Sequence, residues 1–161
     1  MRKLPVLVVL AIIMCLPILG CLKSSTPTTC TNRPVDQDEA TILAYLAANS
    51  VTGYVKHASG MYYKIDSLGS GPTANASSKV YVQYSGKFTN NTVFDSESDA
   101  TKTGFVLGTL IQAWQIGIPL IHKGGIIHLY VPSALAYGCQ PTGPIPANAV
   151  LVFDIVLVDI V

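Results

Sequence analysis

The sequence predicts an α+β fold, in which an antiparallel sheet of about five strands has one short helix lying across it. The first observation is that strand-like runs, separated by clusters of glycine, proline and asparagine, occupy most of the chain beyond residue 54. The second is that a single short helical pattern, residues 110–116, lies among these runs. The third is the length of 161 residues, which suits one ordinary domain. The chain shows no internal repeat.

Residues 1–20 are predicted to be a signal peptide of the lipoprotein type. Arg2 and Lys3 supply its positive start, and an apolar run of about sixteen residues follows. The letters ILGC at 18–21 resemble a bacterial lipobox, in which cleavage leaves Cys21 to carry lipid. The alternative, a transmembrane anchor, is disfavoured because a spanning helix needs roughly 20 apolar residues. The prediction is therefore a membrane-anchored lipoprotein of the bacterial cell envelope, either periplasmic or surface-exposed.

Between the leader and the strands, the sequence predicts a tether and an arm. Residues 21–35 are small, polar and interrupted by proline, so they are expected to form a lipidated flexible tether. Residues 36–59 are expected to form an N-terminal arm with one short helix, in which Asp36 is the N-cap and Glu39 stands three positions later. Asn49 is the expected end of this helix. Its apolar stripe should pack against the main domain, and the stripe consists of Ile42, Leu43, Leu46 and Ala47.

Apolar patterns predict five strands and a helix in the rest of the chain. The strands are expected at residues 61–65, 79–88, 105–107, 126–131 and 150–161. Gly117 and Pro119 end the helical pattern of residues 110–116. The last strand is apolar on both of its alternating faces, which predicts a central position with both faces covered.

Charge and cysteine content narrow the classes of function. The net charge is +1, and without the two basic residues of the leader eight basic residues remain against nine acidic ones, so no basic surface for nucleic acid is indicated. Of the four cysteines, Cys15 lies in the leader and Cys21 in the lipobox, which leaves Cys30 and Cys139. These two could form a disulfide in an oxidising compartment, stay free thiols, or pair between molecules. None of the three histidines has ligand spacing, and no metal site is predicted.

The motifs between residues 60 and 161, taken in order, resemble those of FKBP-type peptidyl-prolyl cis/trans isomerases. They are VQYSG at 82–86, VFDS at 93–96, Trp114, AYG at 136–138, IP at 145–146 and LVFD at 151–154. Each motif is weak alone, whereas their occurrence together in this order is specific. The resemblance implies that residues 60–161 form an FKBP-like isomerase domain, a half-barrel sheet wrapped over the helix that carries Trp114.

The same resemblance implies a site for a proline ring, floored by the indole of Trp114. The residues that it assigns to catalysis are Tyr84, Phe94, Asp95, Trp114, Tyr137 and Phe153. Those that it assigns to substrate binding are Phe105, Leu110, Ile111 and Ile145. By this carry-over, the hydroxyl of Tyr137 and the backbone N–H of Ile111 would bind substrate carbonyls. Leu110 and Ile145 would close the rim.

These residues also have purely structural interpretations. Large aromatic side chains are typical of a core, and Tyr84 and Tyr137 could be core tyrosines with satisfied hydroxyls. Asp95 could cap a turn. What favours a site is that all of them occur together in one order.

Two departures from the family pattern concern the rim and the aspartate. Residues 97–104 contain Lys102 but lack the arginine that often partners the aspartate, here Asp95. The loop at residues 139–144 lacks the histidine of eukaryotic members and is one residue shorter, which would reshape the rim.

The predicted function is a peptidyl-prolyl cis/trans isomerase that assists protein folding in the bacterial envelope and needs no cofactor. Its expected partners are proline-containing unfolded or partly folded polypeptides and, through the lipid anchor, a membrane; macrolide inhibitors of the family are candidate ligands. One alternative is a non-catalytic proline-peptide binding or chaperone module anchored to the membrane, which the missing arginine would favour. Another is a scaffold that uses its sheet and arm for partner contacts.

Overall fold

The computed structural model of the chain describes residues 30–99, 101 and 104–161. The predicted signal peptide, the lipidation site Cys21, the tether up to residue 29 and Lys102 lie outside the described residues. Within the described part, no helix has the length and hydropathy of a membrane-spanning segment.

One antiparallel sheet of seven strands forms the body of the molecule. The strands are β1 (Val55–Lys56), β2 (Tyr62–Ser67), β3 (Lys79–Phe88), β4 (Val93–Glu97), β5 (Gly104–Val106), β6 (Ile126–Val131) and β7 (Leu151–Ile160). They lie in the order β1-β2-β6-β7-β3-β4, and β5 pairs with β3 beside β4. The α+β class and the central position of β7 are therefore confirmed. The two strands beyond the predicted five are β1 and β4, which are too short or too polar to show a strand pattern.

A short helix, α2 (Gln112–Gly117), packs on one face of this sheet and completes the main core. It begins later than the predicted residue 110, because Leu110 still donates its N–H to Leu107 O in a preceding 3-10 turn. Gly117 allows close packing on the sheet, since a Cβ there would lie 2.7 Å from Leu129 Cδ2. This close approach places α2 directly over the central strands.

The N-terminal helix α1 (Val35–Ala48) packs on the opposite face. Ile42 and Leu46 are each 1% exposed and contact a second apolar cluster that includes Val152 of β7. The prediction that the arm packs against the domain is confirmed. The prediction that β7 is covered on both faces is correct only at its start, because α1 packs only there and Asp154, two residues further on, is half-buried.

Three details of α1 differ from the sequence prediction. Pro34 occupies the N-cap position, so Asp36 lies inside the first turn and does not cap. Leu43 is 39% exposed and Ala47 is also exposed, so neither belongs to the buried stripe. The buried positions are Asp38, Ile42 and Leu46, which recur every four residues along one side of the helix. Asn49 is the C-cap, as predicted.

Cys30 and Cys139 are joined by a disulfide, with their Cα atoms 5.5 Å apart. The bridge spans 109 positions of sequence and attaches Cys30, in the last part of the predicted tether just before α1, to the loop before β7. The segment from Cys30 to the end of α1 is thus attached to the domain in two ways: by the disulfide to the loop and by the packing of α1 on the sheet.

Candidate functional site

A cavity of about 200 Å³ lies between α2 and the sheet. It is lined by side chains from four strands, from the turn before α2, from α2 itself and from the loop before β7. The nine lining residues are Tyr84, Phe94, Asp95, Phe105, Leu110, Ile111, Trp114, Tyr137 and Phe153. All nine were singled out from the sequence, and the fold brings them together although they are spread over 70 positions of the chain.

The single tryptophan of the chain forms one side of this cavity. Trp114 is 5% exposed, because α2 presses it onto the sheet. Its indole meets Tyr84 at a centroid distance of 5.1 Å and Phe153 at 5.5 Å, both nearly perpendicular. Such edge-to-face contacts fix the ring geometry. The tryptophan is therefore both a core residue and a cavity wall, so the two interpretations open at the sequence level are compatible.

The facing wall is built around Phe94 and Phe153, whose ring centroids are 5.8 Å apart at 90°. They lie on β4 and β7, on either side of Gly86 in β3, which pairs with Asp95 on one edge and Phe153 on the other. A Cβ at Gly86 would lie 2.7 Å from Phe94 Cζ and 3.0 Å from Phe153 Cε1. Glycine at this position is what allows both rings to close over the strand.

The polar groups of the cavity are few and have distinct roles. The Tyr84 hydroxyl donates to Asp95 Oδ2 at 2.7 Å. Asp95 lies within β4, so it does not cap a turn, and Tyr84 is its hydrogen-bond partner within the described residues. Burial, and secondly this hydrogen bond, raise the pKa of Tyr84. At neutral pH the Tyr84 hydroxyl therefore keeps its proton and donates it in the hydrogen bond to Asp95.

Two further donors remain for a ligand. Burial, with the charge of Asp95 second, raises the pKa of Tyr137, so its phenol is neutral at physiological pH. Its hydroxyl makes no hydrogen bond within the described residues. Ile111 is the N-cap of α2, and its N–H likewise has no acceptor in the described part of the chain. The cavity thus offers an aromatic surface with two free donors at its edge.

Ile145 is the one predicted site residue that does not line the cavity. It is 5% exposed and belongs to the main core. The reason is a tight turn in which Thr142 and Ile145 exchange both backbone hydrogen bonds, with Gly143 at φ +54°. Ile145 therefore lies in the core beside this turn, and its assignment to the rim stays a prediction.

Two buried polar residues next to the loop of Tyr137 were not predicted from the sequence. Asp38 of α1 and Ser133 before Tyr137 are both 0% exposed and bonded to each other. A signal was present, because Asp38 lies four residues before Ile42 and eight before Leu46, on the apolar side of the helix. The described residues contain no cluster of three or more His, Cys, Asp or Glu side chains that could hold a metal ion.

Comparison with known protein families gives one match, over residues 71–158. The matching family model is that of FKBP-type peptidyl-prolyl cis-trans isomerases. The match begins after β2 and ends within β7, so it includes every residue that lines the cavity and leaves out α1 and the disulfide arm.

Individual relatives agree with this match. The FKBP-type peptidyl-prolyl cis-trans isomerase FkpA of Aeromonas hydrophila is 42% identical over 118 residues, which is 72% of this chain and 44% of that protein. Outer membrane protein MIP of Legionella longbeachae is 36% identical over 80% of this chain and 57% of its own length. The chain therefore spans about half the length of the curated relatives that it matches.

Solved structures give the same result at the level of the fold. The crystal structure of FkpA from Escherichia coli superposes with a TM-score of 0.69 and 31% sequence identity. The aligned region covers 78% of this chain and 60% of that one. The arrangement of sheet and helix described above is thus shared with an experimentally solved relative.

Proposed function

We propose that this chain, which belongs to the family of FKBP-type peptidyl-prolyl cis-trans isomerases, catalyses rotation about X-Pro bonds in polypeptides. The observation that carries the proposal is the cavity itself. Its volume of about 200 Å³ accommodates a five-membered ring, and its walls are the aromatic rings of Trp114, Tyr84, Phe94 and Phe153.

The chemistry requires no covalent step. An X-Pro amide is planar because of resonance, and rotation faces a barrier of roughly 18–20 kcal/mol. In the twisted transition state the C–N bond loses double-bond character, so the amide is less polar than in the planar state. A cavity walled by aromatic rings excludes water and therefore disfavours the planar, more polar amide relative to the twisted one. A millionfold acceleration corresponds to roughly 8 kcal/mol of barrier reduction.

The two free donors orient the substrate for this rotation. The hydroxyl of Tyr137 and the N–H of Ile111 bind carbonyl groups that flank the proline, so that the ring stays on Trp114 while the preceding acyl group turns. Asp95, held by the hydroxyl of Tyr84, places a carboxylate at the side of the cavity. We assign Phe105 and Leu110 to contacts with the residues next to the proline, since both line the cavity.

A peptide isomerisation assay on the full chain tests catalysis. Tyr137→Phe removes one hydroxyl and should lower kcat/KM about tenfold, because a substrate hydrogen bond is lost. Tyr54→Phe is the matched control, since Tyr54 is 39% exposed and lies outside the cavity. Asp95→Val should also lower the rate. Trp114→Ala is a poorer test, because truncating a buried tryptophan costs about 3–5 kcal/mol of stability.

The non-catalytic alternative makes a different prediction in the same assay. A binding or chaperone module would show a wild-type rate no higher than that of Tyr137→Phe or Asp95→Val, while a proline peptide still changed the fluorescence of Trp114. A scaffold without a ligand site would show neither effect. Quenching of Trp114 by a macrolide ligand of the family, competed by a proline peptide, would support a shared site in this cavity.

We further propose that the mature protein is a lipid-anchored envelope protein whose clients are unfolded or partly folded proline-containing chains. The proposal is supported by the signal-like residues 1–20 with Cys21, and by the name of the Legionella longbeachae relative, an outer membrane protein. Metabolic labelling with a palmitate analogue should mark the wild type and not Cys21→Ser. Equal labelling of both proteins, or recovery of the wild type in a soluble fraction, would contradict the anchor.

A further inference from the structure

The loop that carries Tyr137 is held by the carbonyl of a single upstream residue. Ser133 O accepts hydrogen bonds from Ala136 N at 3.0 Å and from Gly138 N at 2.8 Å. These two amides lie on either side of Tyr137 in the chain. The position of Ser133 therefore sets the backbone position of the tyrosine whose hydroxyl faces the substrate.

Ser133 is in turn held by the N-terminal helix. Asp38 Oδ2 accepts hydrogen bonds from Ser133 N at 2.8 Å and from Ser133 Oγ at 2.6 Å. The second carboxylate oxygen of Asp38 accepts one from Arg33 Nη1 at 2.9 Å. Both Asp38 and Ser133 are 0% exposed. Hydrogen bonds to a charged acceptor away from water are short and directional, so this pair tolerates little displacement.

A second set of contacts holds the other side of Tyr137. Asn32 Oδ1 accepts a hydrogen bond from Cys139 N at 3.0 Å, next to the disulfide. Gly138 makes this possible, because a Cβ there would lie 2.2 Å from Asn32 Oδ1. Asn148 N donates to Gly138 O at 2.7 Å, and Arg33 N donates to Asn148 Oδ1 at 3.3 Å. Helix α1 thus binds the loop before the tyrosine, and the residues just before α1 bind it after the tyrosine.

We propose that Asp38 is a positioning residue of the pocket, which acts through Ser133 to hold the Tyr137 hydroxyl where it meets the substrate carbonyl. The proposal rests on the proposed function of Tyr137. Asp38 does not line the cavity, so it has no direct contact with the substrate. The functional unit then extends to the N-terminal arm, beyond the family match that begins at residue 71.

A double-mutant cycle in the full chain separates positioning from general destabilisation. Asp38→Ala should lower kcat/KM about tenfold, because small misplacement of a binding group is costly to rate. In a Tyr137→Phe background the same substitution should change the rate by less than about twofold. Asp38→Asn should retain more activity than Asp38→Ala, since its amide oxygen can still accept both bonds from Ser133 and only the bond from Arg33 is lost. Asp36→Ala, on the exposed side of the same helix, is the control and should have no effect.

Amide hydrogen exchange gives a readout that does not depend on catalysis. Asp38→Ala should accelerate exchange at Ala136 and Gly138, whereas Asp36→Ala should not. Faster exchange in a chain whose wild type is inactive would support the positioning role and contradict only the proposed function. Unchanged exchange at both amides, or the same loss of kcat/KM with and without the Tyr137 hydroxyl, would overturn the proposal.

Ser133→Ala keeps the test decisive if Asp38→Ala does not fold. This substitution removes only the hydroxyl bond and leaves the Ser133 N–H bonded to Asp38. It should lower kcat/KM by about threefold, in the same direction and with the same dependence on Tyr137. A folded Ser133→Ala protein with wild-type exchange and wild-type rate would overturn the proposal.

Discussion

Gly86 shapes the wall of the cavity because it has no Cβ. The rings of Phe94 and Phe153 approach the place where a side chain would begin, from neighbouring strands on either edge. Interiors packed at this density have no spare volume for an added methyl group. A larger side chain here is therefore expected to displace the rings that line the cavity rather than to break the pairing of the strands.

We expect Gly86→Ala to displace the ring of Phe94 into the cavity. The unfolding free energy should fall by about 1–3 kcal/mol, as for other overpacked sites. The value of kcat/KM for a proline peptide should fall about tenfold, because the volume for the ring shrinks. Urea denaturation and the isomerisation assay measure the two effects. Ser85→Ala is the control, since its side chain points to the other sheet face; equal losses in the two variants would contradict the explanation.

The packing of α1 is decided by which of its apolar residues face the sheet. The two leucines of α1 differ in burial: Leu46 is 1% exposed and Leu43 is 39% exposed. The fully buried positions of the helix are spaced by four from Asp38, and Tyr45 beside them contacts Tyr130 of β6 with ring centroids 6.0 Å apart. The helix is thereby oriented so that Asp38 enters the interior.

Leu46→Ala should lower the unfolding free energy by about 2–5 kcal/mol, since it leaves a cavity against the second apolar cluster. Leu43→Ala should change it by less than about 0.5 kcal/mol, as expected for a surface position. Chemical denaturation of the two variants measures the difference. Similar losses for both leucines would show that α1 does not pack as described.

A charged cluster joins strands β2, β6, β7 and β3 on the same face as α1. His128 contacts Asp154 Oδ1 through Nδ1 at 2.6 Å and Asp66 Oδ2 through Nε2 at 2.8 Å. Lys87 pairs with Asp154, and Lys64 pairs with Asp66 at 2.8 Å. The bond to Asp154, with that to Asp66, raises the pKa of His128 against the opposing effect of burial. The pKa of each carboxyl is lowered, chiefly by His128 for Asp154 and by Lys64 for Asp66.

These shifts predict a stability maximum on the acidic side of neutrality. The pKa of folded His128 is above its unfolded value of about 6.5, so its contribution is complete below about pH 6.5 and is lost as the pH rises through the folded pKa. The two carboxylates contribute above about pH 4, and this is lost as the pH falls through their folded pKa. The cluster therefore stabilises the fold most between about pH 4 and 6.5.

Raising the pH from 6 to 8.5 should lower the unfolding free energy by about 1 kcal/mol, a modest value because the partly exposed pairs are screened by solvent. His128→Gln should remove this drop, and His57→Gln, whose ring bonds only within its own turn, should keep it. Urea denaturation at the two pH values measures the effect. A drop that persists undiminished in His128→Gln would assign it to another group.

The disulfide joins the first described residue, Cys30, to the loop before β7, and its effect belongs to the molecule as a whole. It closes a loop of 109 positions that contains all of the sheet except β7. Closing so long a loop restricts the unfolded chain by about 4–5 kcal/mol on a chain-entropy basis. It also keeps Asn32 close to Cys139 when their hydrogen bond breaks. The segment before α1 and the loop before β7 therefore stay together during local unfolding.

Replacement of both Cys30 and Cys139 by serine should lower the unfolding free energy by about 4 kcal/mol. A reducing agent should destabilise the wild type by the same amount and leave the double variant unchanged, which controls for the other cysteines. Thermal and urea denaturation measure both effects. Destabilisation of the double variant by the reducing agent would point to a different bridge.

The residues that line the cavity could be predicted from sequence because their motifs occur in a fixed order, and nine of the ten proposed residues line it. Ile145 could not be placed, because its direction depends on a turn closed by backbone hydrogen bonds rather than on its own side chain. Asp38 was overlooked for a related reason. A carboxylate among apolar helix positions has no visible partner in the sequence. Its partners, the buried N–H and hydroxyl of Ser133, are 95 positions away in the chain.

By itself, the sequence determined the α+β class, the long strands, the approximate position of both helices and the set of aromatic residues around the cavity. The class, the strands and the helices follow from local periodicity and turn residues, which act over a few positions of the chain. The aromatic set follows from the resemblance of the ordered motifs to a known family. Only the tertiary structure decided how far α1 covers the sheet, that Cys30 pairs with Cys139, and that Asp38 holds Ser133. Those contacts join residues about 95 to 109 positions apart, and their energy depends on burial and distance, which no local pattern encodes.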